Sequence, residues 1–128
     1  MADIDVTLVV DTDNLPANPT DSPASACLLY DSALDPDSGP STGFTIGGIV
    51  GDNIIFHIVA KNNTTPVSFS SFAYESGNSG VLSTLPASSN NWVGVVGGSK
   101  GDSEAFYINF NANGNTYKLD PEVEVDGP

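Results

Sequence analysis

The feature that most restricts the fold is a pair of alternating segments joined by Asn113-Gly114. Before this turn, Phe106, Ile108 and Phe110 alternate with more polar residues, so one face of an extended segment is apolar. An Asn-Gly pair adopts positive φ at both positions, as a type I′ hairpin turn requires. The sequence therefore predicts an antiparallel hairpin here.

Short apolar segments separated by turn residues fill the remainder of the chain, and no window shows a sustained helical period. Besides the hairpin, the pattern predicts strands at 4–10, 26–30, 44–50, 53–60, 67–74, 81–85 and 92–96. By its β-branched content, 53–60 is the strongest candidate for a central strand. Strands that recur at this spacing are typical of sandwiches and barrels. We therefore expect one all-β domain over residues 1–128, an antiparallel β-sandwich of jelly-roll type.

The acidic segment after Pro121 alternates acids with valines. This alternation predicts a strand with Val123 and Val125 facing inward and Glu122 and Glu124 facing solvent. Outward charge discourages unwanted strand pairing at a sheet edge. We therefore expect this segment to be an edge strand.

The charge balance excludes whole classes of partner. There are 16 acidic residues against 3 lysines, giving a formal net charge of -13. Nucleic acids and anionic membranes bind clustered basic residues, so neither is expected as a partner. Apolar segments are too short to span a bilayer as helices, and no signal peptide is seen. We expect a cytoplasmic protein whose ligands are cations or neutral molecules such as sugars.

Two acidic loops are candidate calcium sites. Asp11 and Asp13 occupy one loop, and Asp35 and Asp37 the other, each with oxygens at alternating spacing. Calcium binds six to eight oxygen ligands, which such loops commonly supply. Neither loop matches an EF-hand, and loop aspartates also serve as turn formers. The first expectation is therefore no cofactor, and the alternative is calcium at these four residues.

Three aromatic side chains are candidate ligand-binding residues. Trp92, Tyr74 and Tyr107 have the chemistry to stack on sugar rings. The alternative is that Trp92 fills the core between two sheets while the tyrosines line its edge. The sequence leaves both interpretations open.

No catalytic signature is present. His57 lies in an apolar segment and is expected to be half-buried and hydrogen-bonded, with Phe56 and Ile58 facing the other way. Gly97-Gly98-Ser99-Lys100-Gly101 has the Gly-x-Ser-x-Gly spacing, but that motif requires a turn from a strand into a helix, and no window of the sequence shows a helical period. Cys27, the single cysteine, is expected to pack as a small apolar residue. We therefore expect a protein that is not an enzyme.

Three ordered blocks resemble the AidA/PixA family of bacterial inclusion-body proteins. They are residues 3–13, ending in Asp-Thr-Asp, residues 50–56, with a Gly-Asp turn, and the closing hairpin through Val125. The chain is shorter than family members between the second and third blocks, and Leu119 replaces their usual aromatic before Asp-Pro. The resemblance implies a β-sandwich and an abundant cytoplasmic protein, some relatives of which form crystalline inclusions.

These observations predict a non-enzymatic β-sandwich that self-associates into homo-oligomers. Exposed edges at the first and last strands are the expected contact surfaces. The alternative function is a carbohydrate-binding, lectin-like module, with or without calcium.

Overall fold

A computed structural model describes residues 3–18, 20–21, 23, 26–31 and 45–125. These residues form ten strands: β1 Asp3–Val10, β2 Cys27–Asp31, β3 Thr45–Gly48, β4 Asn53–Ala60, β5 Val67–Gly77, β6 Leu82–Thr84, β7 Val93–Val96, β8 Ser103–Ala112, β9 Asn115–Leu119 and β10 Glu122–Val125. No helix in the described ranges is long and apolar enough to cross a membrane. The predicted all-β architecture is confirmed.

The first sheet has the strand order β2-β1-β4-β7-β6. In β1, every second residue from Ile4 to Val10 is buried, because the side chains of an extended strand alternate between core and solvent. β4 lies at the centre, as its β-branched composition predicts. His57 points outward from β4, opposite to Phe56.

The second sheet has the strand order β3-β10-β8-β5, and β9 also pairs with β8. The predicted hairpin is confirmed: Ala112 pairs with Asn115, and Asn113 and Gly114 have φ of 52° and 78°. β9 and β10 follow one another along the same edge of β8. Pro121 separates them, and its carbonyl accepts the Phe106 N–H at 3.1 Å.

One aromatic cluster joins the two sheets at their core. The Phe56 ring of β4 lies 4.8 Å from the Phe72 ring of β5, measured between centroids. Both contact Phe106 of β8, each with a centroid separation of 6.0 Å. Edge-on and offset ring contacts add about 0.5–1.5 kcal/mol each beyond the area they bury. The phenylalanines therefore fix the inner faces against one another.

The strand pairing differs from the predicted fully antiparallel arrangement. β1 pairs with β4 in parallel, and β10 pairs with β3 in parallel. Both terminal strands are consequently internal: β1 lies between β2 and β4, and β10 lies between β3 and β8. The expectation that they form exposed edges was wrong, because alternation reports which face is buried and not which strands lie alongside. Val123 and Val125 do face inward.

The single cysteine should be unreactive in the folded protein. Cys27 is buried, and burial raises the pKa of its thiol to about 12. The thiol is therefore protonated at pH 8, whereas the nucleophile is the thiolate. We expect a disulfide reagent to modify native Cys27 at least about 100-fold more slowly than the same chain unfolded in guanidinium. Equal rates in the two states would contradict this burial.

Candidate functional site

A cavity of about 320 Å³ opens between β5 and the loop that connects β6 to β7. We call it the Trp92 groove. Its lining is Ser70, Ser71, Phe72, Leu85, Pro86, Ala87, Ser88 and Trp92. Small-ligand pockets span about 300–1,000 Å³, so the groove has room for a small molecule.

The loop on one side of the groove is fixed by its own hydrogen bonds. A short 3-10 turn covers Ser88–Asn90. The Asn90 side-chain oxygen accepts the N–H groups of Ala87 at 2.9 Å and Val93 at 3.2 Å. The backbone N–H of Trp92 donates to the Ala87 carbonyl at 2.9 Å. These bonds close the loop and set the position of the indole.

Trp92 serves the core and the groove together. Its ring lies 5.4 Å from Phe69 and 5.9 Å from Phe72, measured between centroids. It is only partly buried against the core and also lines the cavity. The indole thus packs on the core on one side and borders the cavity on the other, and its binding of a ligand stays a prediction.

The two candidate tyrosines lie on opposite faces of the second sheet. Tyr74 is two residues from Phe72 on the inward side of β5, is 45% exposed, and donates its hydroxyl to the Gly77 carbonyl at 2.8 Å. Tyr107 pairs with Ala73 and therefore faces outward, where the Lys118 ammonium lies 4.4 Å above its ring. The structure thus does not bring Tyr107 together with Trp92.

A second cavity, also of about 320 Å³, contains the first predicted calcium loop. Its lining is Asp11, Asp13, Asn14, Lys61 and Asn62. The Asp11 carboxylate accepts the Asn14 amide at 2.7 Å and lies 3.7 Å from the Lys61 ammonium. The Asn14 hydrogen bond, aided by the charge of Lys61, lowers the pKa of Asp11.

These contacts give the Asp11 carboxylate partners within the chain. Among the described residues, no group of three or more His, Cys, Asp or Glu side chains could hold a metal ion. Asp35 and Asp37 lie outside those ranges. Calcium binding by the four aspartates stays a prediction.

The one histidine lines neither cavity. His57 lies on the outer face of the first sheet, with its Nε2 3.0 Å from an Asp5 carboxylate oxygen. Its side chain is 50% exposed, which agrees with the expected half-buried, hydrogen-bonded histidine.

The outer faces of the two sheets differ in chemistry. On the second sheet, Asn109 donates to Ser71 at 3.1 Å and Thr116 donates to Asn111 at 2.7 Å, forming a polar surface. On the first sheet, the residues between the buried positions include two polar pairs, Asp5–His57 and Asp3–Asn53, and six aliphatic side chains. They are Val9, Leu28, Ile55, Val59, Val93 and Val95. We call this group the aliphatic outer face.

Cross-strand register brings these aliphatic residues into rows. Val9 pairs with Leu28 of β2 and with Val59 of β4. Ile55 pairs with Val93 of β7. Val59 is 42% exposed, and Val9 and Leu28 are partly buried beside it.

The fold has a known counterpart. No family model and no curated protein matches the sequence. A crystal structure of the inclusion body protein PixA from Burkholderia cenocepacia J2315 superposes with a TM-score of 0.71. The two chains are 14% identical, and the match covers 96% of this chain and 94% of that one. The chain has the PixA fold. The resemblance read from the three sequence blocks is thus confirmed at the level of the fold.

Within the PixA fold, the indole of the groove was predictable from the sequence, but the residues around it were not. Phe72 and Ser70 lie on β5, and Leu85 and Pro86 lie beyond β6, so only the packing of the two sheets brings them together. A usable signal was present in Leu85-Pro86, an apolar residue and a turn former in a polar stretch. Nothing in the sequence indicates that Leu85-Pro86 lies beside Ser70.

Proposed function

We propose that this chain is a non-enzymatic inclusion-body-type protein that self-associates in the cytoplasm through its aliphatic outer face. Two findings support the proposal. The fold matches that of a protein described as an inclusion body protein. The aliphatic outer face carries the self-association step, because the row of Val9, Leu28 and Val59 presents apolar surface beside the polar Asp5–His57 and Asp3–Asn53 pairs of the same sheet face.

Burial of this face between two copies supplies the driving force. Val59 is the most exposed of the six side chains, and each contributes about 25 cal/mol for every Å² of its remaining apolar surface that is removed from water. Stacked sheets pack about 10 Å apart with their side chains interdigitated. A pair of copies related by a two-fold axis would place the row containing Val9 and Val59 against itself. The aliphatic outer face thus takes the place of the edges expected at the terminal strands.

Net charge sets the conditions for assembly. Two chains of formal charge -13 repel one another. The Debye length falls from about 30 Å at 0.01 M salt to about 8 Å at 0.15 M. Self-association is therefore expected to strengthen with salt, with divalent cations and as carboxylates protonate in acid.

The experiment is sedimentation velocity at neutral and acidic pH, in low and high salt, with and without magnesium. We expect a monomer in low salt at pH 7 and larger species in high salt or acid. A strict monomer under every condition would contradict the proposal.

Replacing Val59 with aspartate should weaken assembly at least about tenfold, because an unpaired charge buried between copies costs several kcal/mol. The matched control is Ser76→Asp, which adds the same charge at an exposed position of the second sheet. Ser76 pairs with Ala105 on the polar outer side. The control should retain assembly to within about twofold. Equal weakening by both substitutions would point to net charge alone and would exclude the aliphatic outer face as the contact.

A further inference from the structure

The backbone beside the Trp92 groove adopts a conformation that residues with side chains avoid. Asn91 and Trp92 have φ of 59° and 63°. Asparagine tolerates this left-handed region, but a bulky residue there is an outlier. Such residues persist only where the surroundings enforce them, and they are concentrated at ligand clamps and active sites.

The hydrogen bonds around Trp92 show how the strained conformation is enforced. Its backbone N–H donates to the Ala87 carbonyl at 2.9 Å, and its backbone carbonyl accepts the Phe56 N–H at 3.0 Å. The indole also packs on Phe69 and Phe72. Its partly exposed side is therefore presented in one orientation before any ligand arrives, which lowers the entropic cost of binding.

The chemistry of the groove fits a neutral ligand. None of the described residues that line it is charged, although the chain contains 16 acids. Trp92 and Leu85 supply apolar surface, and Leu85 is 37% exposed. Ser70 and Ser88 supply hydroxyl groups that both donate and accept hydrogen bonds, whereas the Ser71 hydroxyl accepts from Asn109 on the outer side of the sheet.

The strand beside the groove disfavours an added peptide strand. β5 pairs with β8 on one side and is an edge of its sheet among the described strands. Its register shifts between Phe69 and Ser71, so Ser70 is bulged where the groove opens. A bulge disrupts the regular row of backbone groups that an incoming strand needs. A compact ligand fits this edge better than an extended one.

We propose that the Trp92 groove binds a neutral saccharide, with a sugar ring stacked on the indole and its hydroxyls bonded to the surrounding serines. A pyranose combines an apolar C–H face with a rim of hydroxyls, which matches an aromatic wall beside the Ser70 and Ser88 hydroxyls. The volume of about 320 Å³ limits the ligand to a short saccharide. The site shares no lining residue with the Asp11 cavity, so binding does not require calcium there.

The experiment uses the full chain in low salt on an array of immobilised neutral and anionic oligosaccharides. Neutral glycans that bind are then titrated free in solution while tryptophan fluorescence is recorded. The chain contains a single tryptophan, so every change in this signal reports on Trp92. We expect binding of one or more neutral glycans, a saturable change in emission, and no change when a chelator is added.

Variants connect the signal to the groove. Ser70→Phe fills the groove from an exposed position and should weaken binding at least about tenfold while the protein stays folded. Trp92→Phe keeps a smaller aromatic face and should weaken array binding by about tenfold, since stacking scales with the ring. Tyr107→Ala changes the opposite face of the second sheet and should leave affinity within about twofold.

Several outcomes would overturn the inference. These are no neutral glycan bound by the folded protein, binding of anionic glycans alone, and retention of binding in Ser70→Phe. Loss of glycan binding in Tyr107→Ala would also overturn the inference, because the glycan would then contact the polar outer side of the sheet.

Discussion

Replacing Gly77 with alanine is expected to destabilise the protein by about 2–4 kcal/mol. Gly77 has φ of 87°, and a Cβ atom there would lie 2.6 Å from the Ser103 carbonyl oxygen. The same oxygen accepts the Asn78 N–H at 2.7 Å, and the Ser103 N–H donates back to the Asn78 side chain at 3.1 Å. The added methyl group must therefore displace backbone that is held by two hydrogen bonds. Denaturant unfolding of both proteins measures the difference.

Gly80→Ala separates steric overlap from backbone strain. Gly80 has φ of 97°, but a Cβ atom there meets nothing within 4 Å. This control should lose only about 1–2 kcal/mol of unfolding free energy, which is the conformational cost of a side chain at positive φ. Equal losses at the two positions would show that the Ser103 contact relaxes freely, contrary to the expectation for Gly77.

The closing hairpin was predictable because its determinants are local. The alternation of Phe106, Ile108 and Phe110 selects the buried face, and Asn113-Gly114 selects the turn. Neither depends on another part of the chain. The central position of β4 followed from its β-branched composition for a similar reason.

The lateral order of the strands was not predictable, because it depends on partners distant in sequence. β1 pairs with β4 across 50 residues, as in Asp3 with Asn53. β10 pairs with β3 across 77, as in Glu122 with Thr45. Both pairings are parallel, and a parallel neighbour leaves no turn signal at either strand. Internal strands were consequently predicted as edges.

The same distinction applies to the candidate site. Trp92 was predicted as a ligand-binding residue because an indole has the chemistry to stack on a sugar ring. Tyr107 was placed with it, although odd and even positions of β8 face opposite ways and Phe106 is in the core. The bulge at Ser70 and the positive φ of Trp92 have no local sequence signal, so the groove could not be predicted from the sequence.

The two proposed surfaces occupy different parts of the sandwich and can be tested independently. The aliphatic outer face lies on strands β2, β1, β4 and β7 of the first sheet. The Trp92 groove lies between the β5 edge of the second sheet and the loop before β7. Val59→Asp is therefore expected to leave saccharide binding unchanged, and Ser70→Phe is expected to leave assembly unchanged.

A buried carboxyl group forms a hydrogen bond that ties the two sheets together away from the aromatic cluster. Glu104 of β8 is 2% exposed, and its Oε1 accepts the Leu82 N–H of β6 at 3.2 Å. β6 is the last strand of the first sheet. The Glu104 side chain thus reaches across the core to a strand that otherwise pairs with β7.

Glu104→Ala is expected to destabilise the protein by about 2–4 kcal/mol, because it leaves the buried Leu82 N–H without its acceptor and opens a cavity. Glu104→Gln retains a carbonyl oxygen at the same position and should cost less than about 1 kcal/mol. The measurements are denaturant unfolding and hydrogen exchange of the Leu82 amide, which should lose protection in the alanine variant and keep it in the glutamine variant. Loss of protection in both variants would show that an acceptor oxygen at this position is not sufficient to hold β6 against the second sheet.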